Sequence, residues 1–373
     1  MKFSDIPGHE DVKSRLREMV DSGNVPHAFL LEGPAGTGKF ALARAFVQYL
    51  HCQNRSGGEP CGHCAPCRQH AITQHIDTLY SFPVAKEGSS PSISNDYIEE
   101  FRELMTKSPF MDFDEWQNIL GSNKMPVIYV AEANEIIRRM SFTGQISDHR
   151  AVLLWLPERM NVDTANKLLK YLEEPADGTI FVFSSDHPGE ILPTIYSRLQ
   201  RIKVPRLSDE EVADWLVDNT AADRATAANL APLAEGSLTS ALTIVSRKDK
   251  NAEYLERFQS LMRLAYQRDI AKLKIWSETL SKAYKRENLL DFLKYVSRQL
   301  RENFVANLHN AQLNLMTTTE AAFSRNFARF VNERNVLGLV EAIDVAETDI
   351  AGNANVRIVL FDMAITVILL LKQ

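Results

Sequence analysis

Three short runs of the chain carry apolar residues without polar alternation: Ala28 to Glu32 (AFLLE), Ala151 to Leu156, and Thr179 to Ser184 (TIFVFS). Strands of that kind are buried on both faces, as in parallel sheets covered by helices. Between the last two, Thr164 to Glu174 has helical spacing, with Ala165, Leu168, Leu169 and Leu172 on one face. Strands alternating with helices predict an α/β fold on a parallel sheet. After about Pro205 the strand pattern stops. Ser208-Asp209-Glu210-Glu211 is a helix start with acids in its first turn, and Val212, Trp215 and Leu216 continue its apolar stripe. A small helical unit is expected to run to about Val245, the charged run Arg247 to Asn251 reads as a linker, and the rest reads as long amphipathic helices. Residues 88 to 126 stand apart. Gly88-Ser89-Ser90-Pro91-Ser92 is a loop composition. The segments around Ile98, Phe101 and Leu104, and around Phe113, Trp116, Ile119 and Leu120, read as inserted helices that pack on the neighbouring core, with partner binding as the alternative.

Composition narrows the function without naming it. Of 373 residues, 45% are hydrophobic and 24% charged, an ordinary globular mixture. The formal charge of -6 excludes a protein whose main task is neutralising a phosphate backbone, so any DNA contact is local or shared with partners. Met1 to Glu10 lacks the segments of a secretory signal, which points to a cytoplasmic protein. The apolar stretch Ile358 to Leu371 is shorter than the roughly 20 residues of a membrane span and carries Asp362, so it reads as a buried helix, with no membrane partner expected.

The first apolar strand runs directly into Gly33-Pro34-Ala35-Gly36-Thr37-Gly38-Lys39, followed by the helical pattern Phe40 to Leu50. Strand, glycine loop and helix in that order form a phosphate loop, with Gly33, Gly36, Gly38 and Lys39 as the candidate nucleotide-binding residues. The residue after the lysine should be Ser or Thr, whose hydroxyl ligates magnesium. Here it is Phe40, whose ring offers no oxygen and would crowd the metal position. The second strand of such a site should end in a carboxylate, yet Leu153-Leu154-Trp155-Leu156-Pro157 has none, and Glu158 is the first beyond it. Two losses in one chemical unit predict no ATP hydrolysis by this chain and no magnesium. Nucleotide binding without metal stays open.

Cys52, Cys61, Cys64 and Cys67 are the only cysteines, spaced C-x8-C-x2-C-x2-C. Four closely spaced thiolates suit a structural zinc ion, and Gly57, Gly58, Gly62 and Pro66 supply the tight loop. His51, His63 and His70 are nearby alternatives for one ligand. Four thiolates leave no open position for catalysis.

With these residues in view, the chain resembles the clamp-loader branch of the AAA+ ATPases, subunits of the bacterial DNA polymerase III holoenzyme. The resemblance rests on Ile6-Pro7-Gly8-His9-Glu10, Pro26-His27-Ala28-Phe29-Leu30, the phosphate loop, the cysteine module, Asn166-Lys167-Leu168-Leu169-Lys170-Tyr171-Leu172-Glu173-Glu174-Pro175 and Ser197-Arg198. It covers about the first 205 residues. It implies an AAA+ nucleotide-fold domain over residues 1–205, with the zinc module at 52–67 and the insert at 88–126. A helical lid over 206–246 and an all-α collar over 252–373 that joins five subunits in a ring would follow. It also implies that Arg198 acts in trans, as an arginine finger on ATP held by an adjacent subunit. Partners would be gamma/tau-type ATPase subunits and a delta-type subunit, with the sliding clamp and primed DNA reached through the assembly. Two departures from the pattern are Leu199, where a cysteine commonly follows Ser-Arg, and Ser240, where the lid motif at Gly236 to Leu242 would carry a sensor arginine. Alternatives are an active gamma/tau-type motor subunit, which Phe40 opposes, and a zinc-bearing AAA+ adaptor in another DNA transaction.

Overall fold

The computed structural model describes the chain apart from residues 86–91, 123, 142, 143, 145, 247, 309–313, 315, 353, 372 and 373. It divides into two compact units, Met1–Leu242 and Thr243–Gln373. The first is built on five strands: β1 (Ala28–Glu32), β2 (Thr78–Ser81), β3 (Arg150–Trp155), β4 (Thr179–Ser185) and β5 (Gln200–Lys203). They form one sheet in the order β2-β3-β4-β1-β5, and every pairing is parallel. Each residue of β1, β3 and β4 is buried, which is why those three runs show no polar alternation. β2 and β5 have weaker sequence signals because each is four residues long. In β5, an edge strand, only Ile202 is buried.

Around the sheet lie α1 (Glu10–Asp21), α2 (Lys39–His51), α3 (Ala65–Ala71), α4 (Ile98–Lys107), α5 (Phe113–Leu120), α6 (Val130–Met140), α7 (Val162–Glu173) and the single turn α8 (Pro193–Tyr196). α7 starts where Asn161 Oδ1 accepts the Thr164 amide at 2.8 Å, and its Ala165, Leu168 and Leu172 pack into the core beneath β3 and β4. The lid helices α9 (Asp209–Asn219) and α10 (Arg224–Leu230) follow within the same unit. α9 opens with the reciprocal cap its sequence promised: the Ser208 hydroxyl accepts the Glu211 amide at 3.2 Å, and Glu211 accepts the Ser208 amide at 2.7 Å.

The division between the units falls inside α11 (Leu238–Ser246). The run expected as a linker is instead helical from Lys248, the first residue of α12 (Lys248–Gln267), while Arg247 lies outside the described residues. Charge alone does not break a helix, and the run holds no Gly or Pro that would. The second unit continues with α13 (Ile270–Ala283), α14 (Arg286–Ala306), α15 (Thr318–Phe327), α16 (Val336–Ala351) and α17 (Val356–Leu370) around a core that includes Phe258, Trp276, Phe292, Ile343 and Leu360. α17 buries Val359, Leu360, Met363, Ala364, Val367 and Ile368. Among the described residues no helix is long and apolar enough to cross a membrane.

Candidate functional site

The phosphate loop connects β1 to α2 and brings Gly33, Gly36, Gly38 and Lys39 together at the end of the sheet. Gly36 has φ 74°, a left-handed conformation that favours glycine, and a Cβ there would collide with Ser237 Oγ and Thr239 Oγ1. The Leu238 amide donates to the Gly36 carbonyl at 2.8 Å. The start of α11 therefore rests directly on the loop. Phe110 approaches from the insert: its ring lies 3.4 Å from where a Gly38 Cβ would stand, and it meets Trp215 of α9 edge-on at 5.3 Å.

Lys39 does not reach into solvent. Its side chain is 2% exposed, its Nζ donates to the Pro34 carbonyl, and it pairs with Asp186 Oδ1 at 2.7 Å. Asp186, directly after β4, was not singled out from sequence. An acid just past a buried strand is an ordinary feature, and the sequence does not set this one apart. Glu158 curls back beside it, its Oε1 accepting the amides of Asp186 at 2.9 Å and His187 at 3.1 Å. Burial pushes the Glu158 carboxyl above the usual carboxylate range, although its own amide and that of Asp186 pull it down.

Phe40 and Trp155, the residues at the two positions without a metal ligand, lie in one aromatic cluster at ring-centroid distances of 6.2 Å from each other and 6.0 and 5.7 Å from Phe101. Phe101 stacks on Phe82 at 3.7 Å with planes 10° apart, and Trp116 meets both rings edge-on. Trp116 donates its indole N–H to the Pro83 carbonyl at 2.7 Å, so its one polar atom is satisfied in the core. The loop reading of Gly88 to Pro91 falls outside the described residues. Of the residues the packing reading named, Phe101, Leu104 and Trp116 are buried as it expected, whereas Ile119 is exposed.

Cys52, Cys61, Cys64 and Cys67 converge at the other end of α2, with all four sulfurs within 4.8 Å of one another and Cys61 Sγ to Cys67 Sγ at 4.0 Å. Four sulfurs at tetrahedral zinc bonds of about 2.3 Å would stand about 3.8 Å apart, so this cage could hold zinc. Backbone amides already point at the sulfurs, Cys61 N to Cys52 Sγ at 3.2 Å and Cys64 N to Cys61 Sγ at 3.4 Å. Gly62, at φ 80°, makes the turn between two of the ligands. The Cys61 thiol is lowered to about 6 by the backbone amide of His63 first, then that of Cys64, while burial pushes Cys52 and Cys67 up.

The histidines do not join the cage. His63 Nδ1 bonds to the Cys61 carbonyl at 2.9 Å. His51 Nδ1 and His70 Nε2 share a hydrogen bond at 3.0 Å, and His75 stacks on both rings at 4.4 Å. Their ligand nitrogens lie within 4.8 Å of one another, close enough for a metal, and the three ring planes stand 13–33° apart. Burial holds His51 down at about 3 and lowers His70 and His75 as well.

Arg198 sits apart from the loop, on the turn between α8 and β5. Its Nε donates to Glu173 Oε1 at 2.7 Å and its Nη1 to the Thr194 carbonyl at 2.8 Å.

A parallel sheet ordered β2-β3-β4-β1-β5, with a phosphate loop leaving β1 and a helical lid resting on that loop, defines the AAA+ kind of nucleotide fold. The family model described as "DNA polymerase III, delta subunit" matches residues 8–208, and the chain belongs to that family. It is 30% identical over 190 residues to the DNA polymerase III subunit delta' of Pseudomonas aeruginosa, a stretch covering 51% of this chain and 46% of that one. It is 23% identical over 252 residues to subunit tau of Bacillus subtilis, covering 66% of this chain and 37% of the relative. The chain thus spans less than half the length of either. A solved structure of a gamma-subunit-related protein from Thermotoga maritima matches 96% of this chain and 99% of its own with TM-score 0.41 and 13% identity, a likeness that adds nothing to the assignment.

Proposed function

We propose that this chain is a delta-prime-type subunit of a bacterial sliding-clamp loader. In this reading it is a cytoplasmic component of the DNA polymerase III holoenzyme that does not hydrolyse ATP itself and offers Arg198 in trans to a neighbouring gamma/tau-type ATPase subunit. A delta-type subunit, the sliding clamp and primed DNA are its other partners within the assembly, and Cys52, Cys61, Cys64 and Cys67 hold a structural zinc ion.

The observation that carries the inactive half of this reading is the Lys39–Asp186 pair. The cation that a phosphate loop uses to grip the β- and γ-phosphates is buried and already neutralised by an internal carboxylate. Phe40 and Trp155 add to it, because aromatic rings in the core stand at the two positions that would ligate magnesium. The Leu238 amide bonded to the Gly36 carbonyl ties the lid to the loop. These features also favour the same answer for binding: the loop serves as a joint between sheet and lid, and nucleotide does not enter.

The test is direct. The purified chain is expected to show no magnesium-dependent ATP hydrolysis and no rise in Tm with millimolar ATP. A ligand present at 100 times its Kd would stabilise the protein by about 2.7 kcal/mol, so binding would be visible. Magnesium-dependent turnover by the isolated chain would support the motor-subunit reading instead.

A further inference from the structure

Glu173 lies in the Leu168 to Pro175 motif. It stands at the last position of α7, with its carboxylate against the guanidinium of Arg198. We propose that Glu173 is the positioning residue of the arginine finger: it braces Arg198 from the side, so that the far end of the guanidinium is presented to the phosphates of ATP held by the adjacent subunit. This rests on the reading of Arg198 as a finger acting in trans.

The argument begins with the donors. A guanidinium has five N–H groups in a fixed plane. In Arg198, Nε donates to Glu173 Oε1 at 2.7 Å, Nη2 contacts the same oxygen at 2.5 Å, and Nη1 donates to the Thr194 carbonyl at 2.8 Å. Three donors are thereby used and two remain, one on each terminal nitrogen. The one left on Nη2 points off the end of the guanidinium, away from Glu173, where a phosphate of the adjacent subunit can accept it. Glu173 thus engages Arg198 from its Nε side and leaves the far end of the guanidinium open.

The turn bearing the finger is held from its other side as well. Tyr196 donates its hydroxyl to Glu32 Oε2 at 2.9 Å, and Glu32 is the last residue of β1. Arg201 packs over the Tyr196 ring at 5.2 Å and donates to its hydroxyl at 3.2 Å. The turn is therefore pinned to β1 through Tyr196 and to α7 through Glu173. Of the two attachments, only Glu173 touches the guanidinium itself. Without it, the long side chain is free to sample other rotamers, and the phosphates of the neighbour must order it on each turnover.

In the neighbouring site, water adds to the γ-phosphorus as the bond to the bridging oxygen of ADP breaks, yielding ADP and inorganic phosphate. An arginine finger stabilises the charge on the transferring group and is worth roughly 10³- to 10⁵-fold in rate at its site. A finger displaced by about 1 Å loses on the order of 10²-fold, which sets the scale for losing a brace. Because its contribution appears in the transition state, the loss belongs in kcat and not in KM.

The experiment uses the reconstituted loader in which only the motor subunit abutting this chain keeps its phosphate-loop lysine, so that a single ATP site is read. Glu173→Ala is expected to lower DNA-stimulated kcat roughly 10- to 100-fold with KM for ATP little changed. Glu173→Gln, which keeps an acceptor oxygen at the same reach, is expected to recover part of that loss. In an Arg198→Ala background, Glu173→Ala should do nothing further. Size-exclusion elution with the assembled loader and an unchanged Tm check that the half-exposed site has not cost the fold. Wild-type kcat for Glu173→Ala, or a loss that multiplies with that of Arg198→Ala, overturns the brace while leaving the finger standing. Unchanged turnover for Arg198→Ala alone removes the finger reading, and the brace with it.

Discussion

Two loops shaped for ligands sit at opposite ends of one helix, α2: the phosphate loop before Lys39 and the cysteine module from Cys52 onward. At the first end the protein has met the loop's needs from within. Asp186 neutralises Lys39, a lid amide takes the Gly36 carbonyl, and the rings of Phe40 and Trp155 pack against the insert. At the second end the chemistry points outward from the protein's own groups. Four sulfurs converge with backbone amides donating to two of them, and burial that raises Cys52 and Cys67 leaves their thiolates in need of a cation to balance them. Retained sequence shape is therefore a poor guide to retained ligand. What decides it is whether the polar groups of the loop have partners inside the chain.

If that contrast is right, the largest effect comes from the second end. The protein is expected to carry one zinc ion per chain, and Cys67→Ser, which removes the most deeply buried of the four sulfurs, is expected to lose both the metal and the fold of residues 52–67. Structural zinc contributes on the order of 10 kcal/mol of apparent binding free energy in small zinc-dependent folds. Metal analysis and proteolysis across the module check it, and a metal-free wild type with the same Tm would erase the contrast. At the first end no ion is needed, and the stabilising element is the aromatic cluster. Phe101→Ala is expected to cost about 3–5 kcal/mol in urea denaturation, as truncating a fully buried phenylalanine does, with no recovery on adding ATP and magnesium.

Much of this contrast was legible in the chain itself. The three central strands are apolar throughout because they are buried on both faces, and that pattern survives in any window. β2 and β5 were not, since four residues give no period and the exposed Gln200, Arg201 and Lys203 make β5 look like loop. Phe40 and Trp155 announced missing metal ligands by residue type. Their packing partners did not, because Phe101 comes from a helix about 60 residues beyond Phe40 and nothing local records that contact. Asp186 and Glu173 were hidden for a related reason. An acid at the end of a strand or helix is ordinary, and only the tertiary fold shows that each faces a cation.

The smallest effect concerns Glu158, and it sharpens the reading of the first end. Its carboxyl is raised above the ordinary range, chiefly by burial, so ionising it costs more in the folded protein than in the unfolded chain. For an acid shifted in that direction the penalty is absent below the unfolded pKa of about 4.3, grows as pH rises toward the folded pKa, and is fully present above it. Glu158→Gln keeps an oxygen to accept the Asp186 and His187 amides but cannot ionise. The variant is therefore expected to gain stability relative to wild type between pH 4 and pH 8, read from urea midpoints at both values. Magnesium supplies the discriminating arm. Were a divalent cation able to seat beside Asp186 and Glu158, it would favour the ionised carboxyl, stabilise wild type at pH 8 and shrink the advantage of the variant. With Lys39 already occupying Asp186 and aromatic rings at the neighbouring positions, 10-fold more magnesium at constant ionic strength is expected to leave the difference between the two proteins where it was.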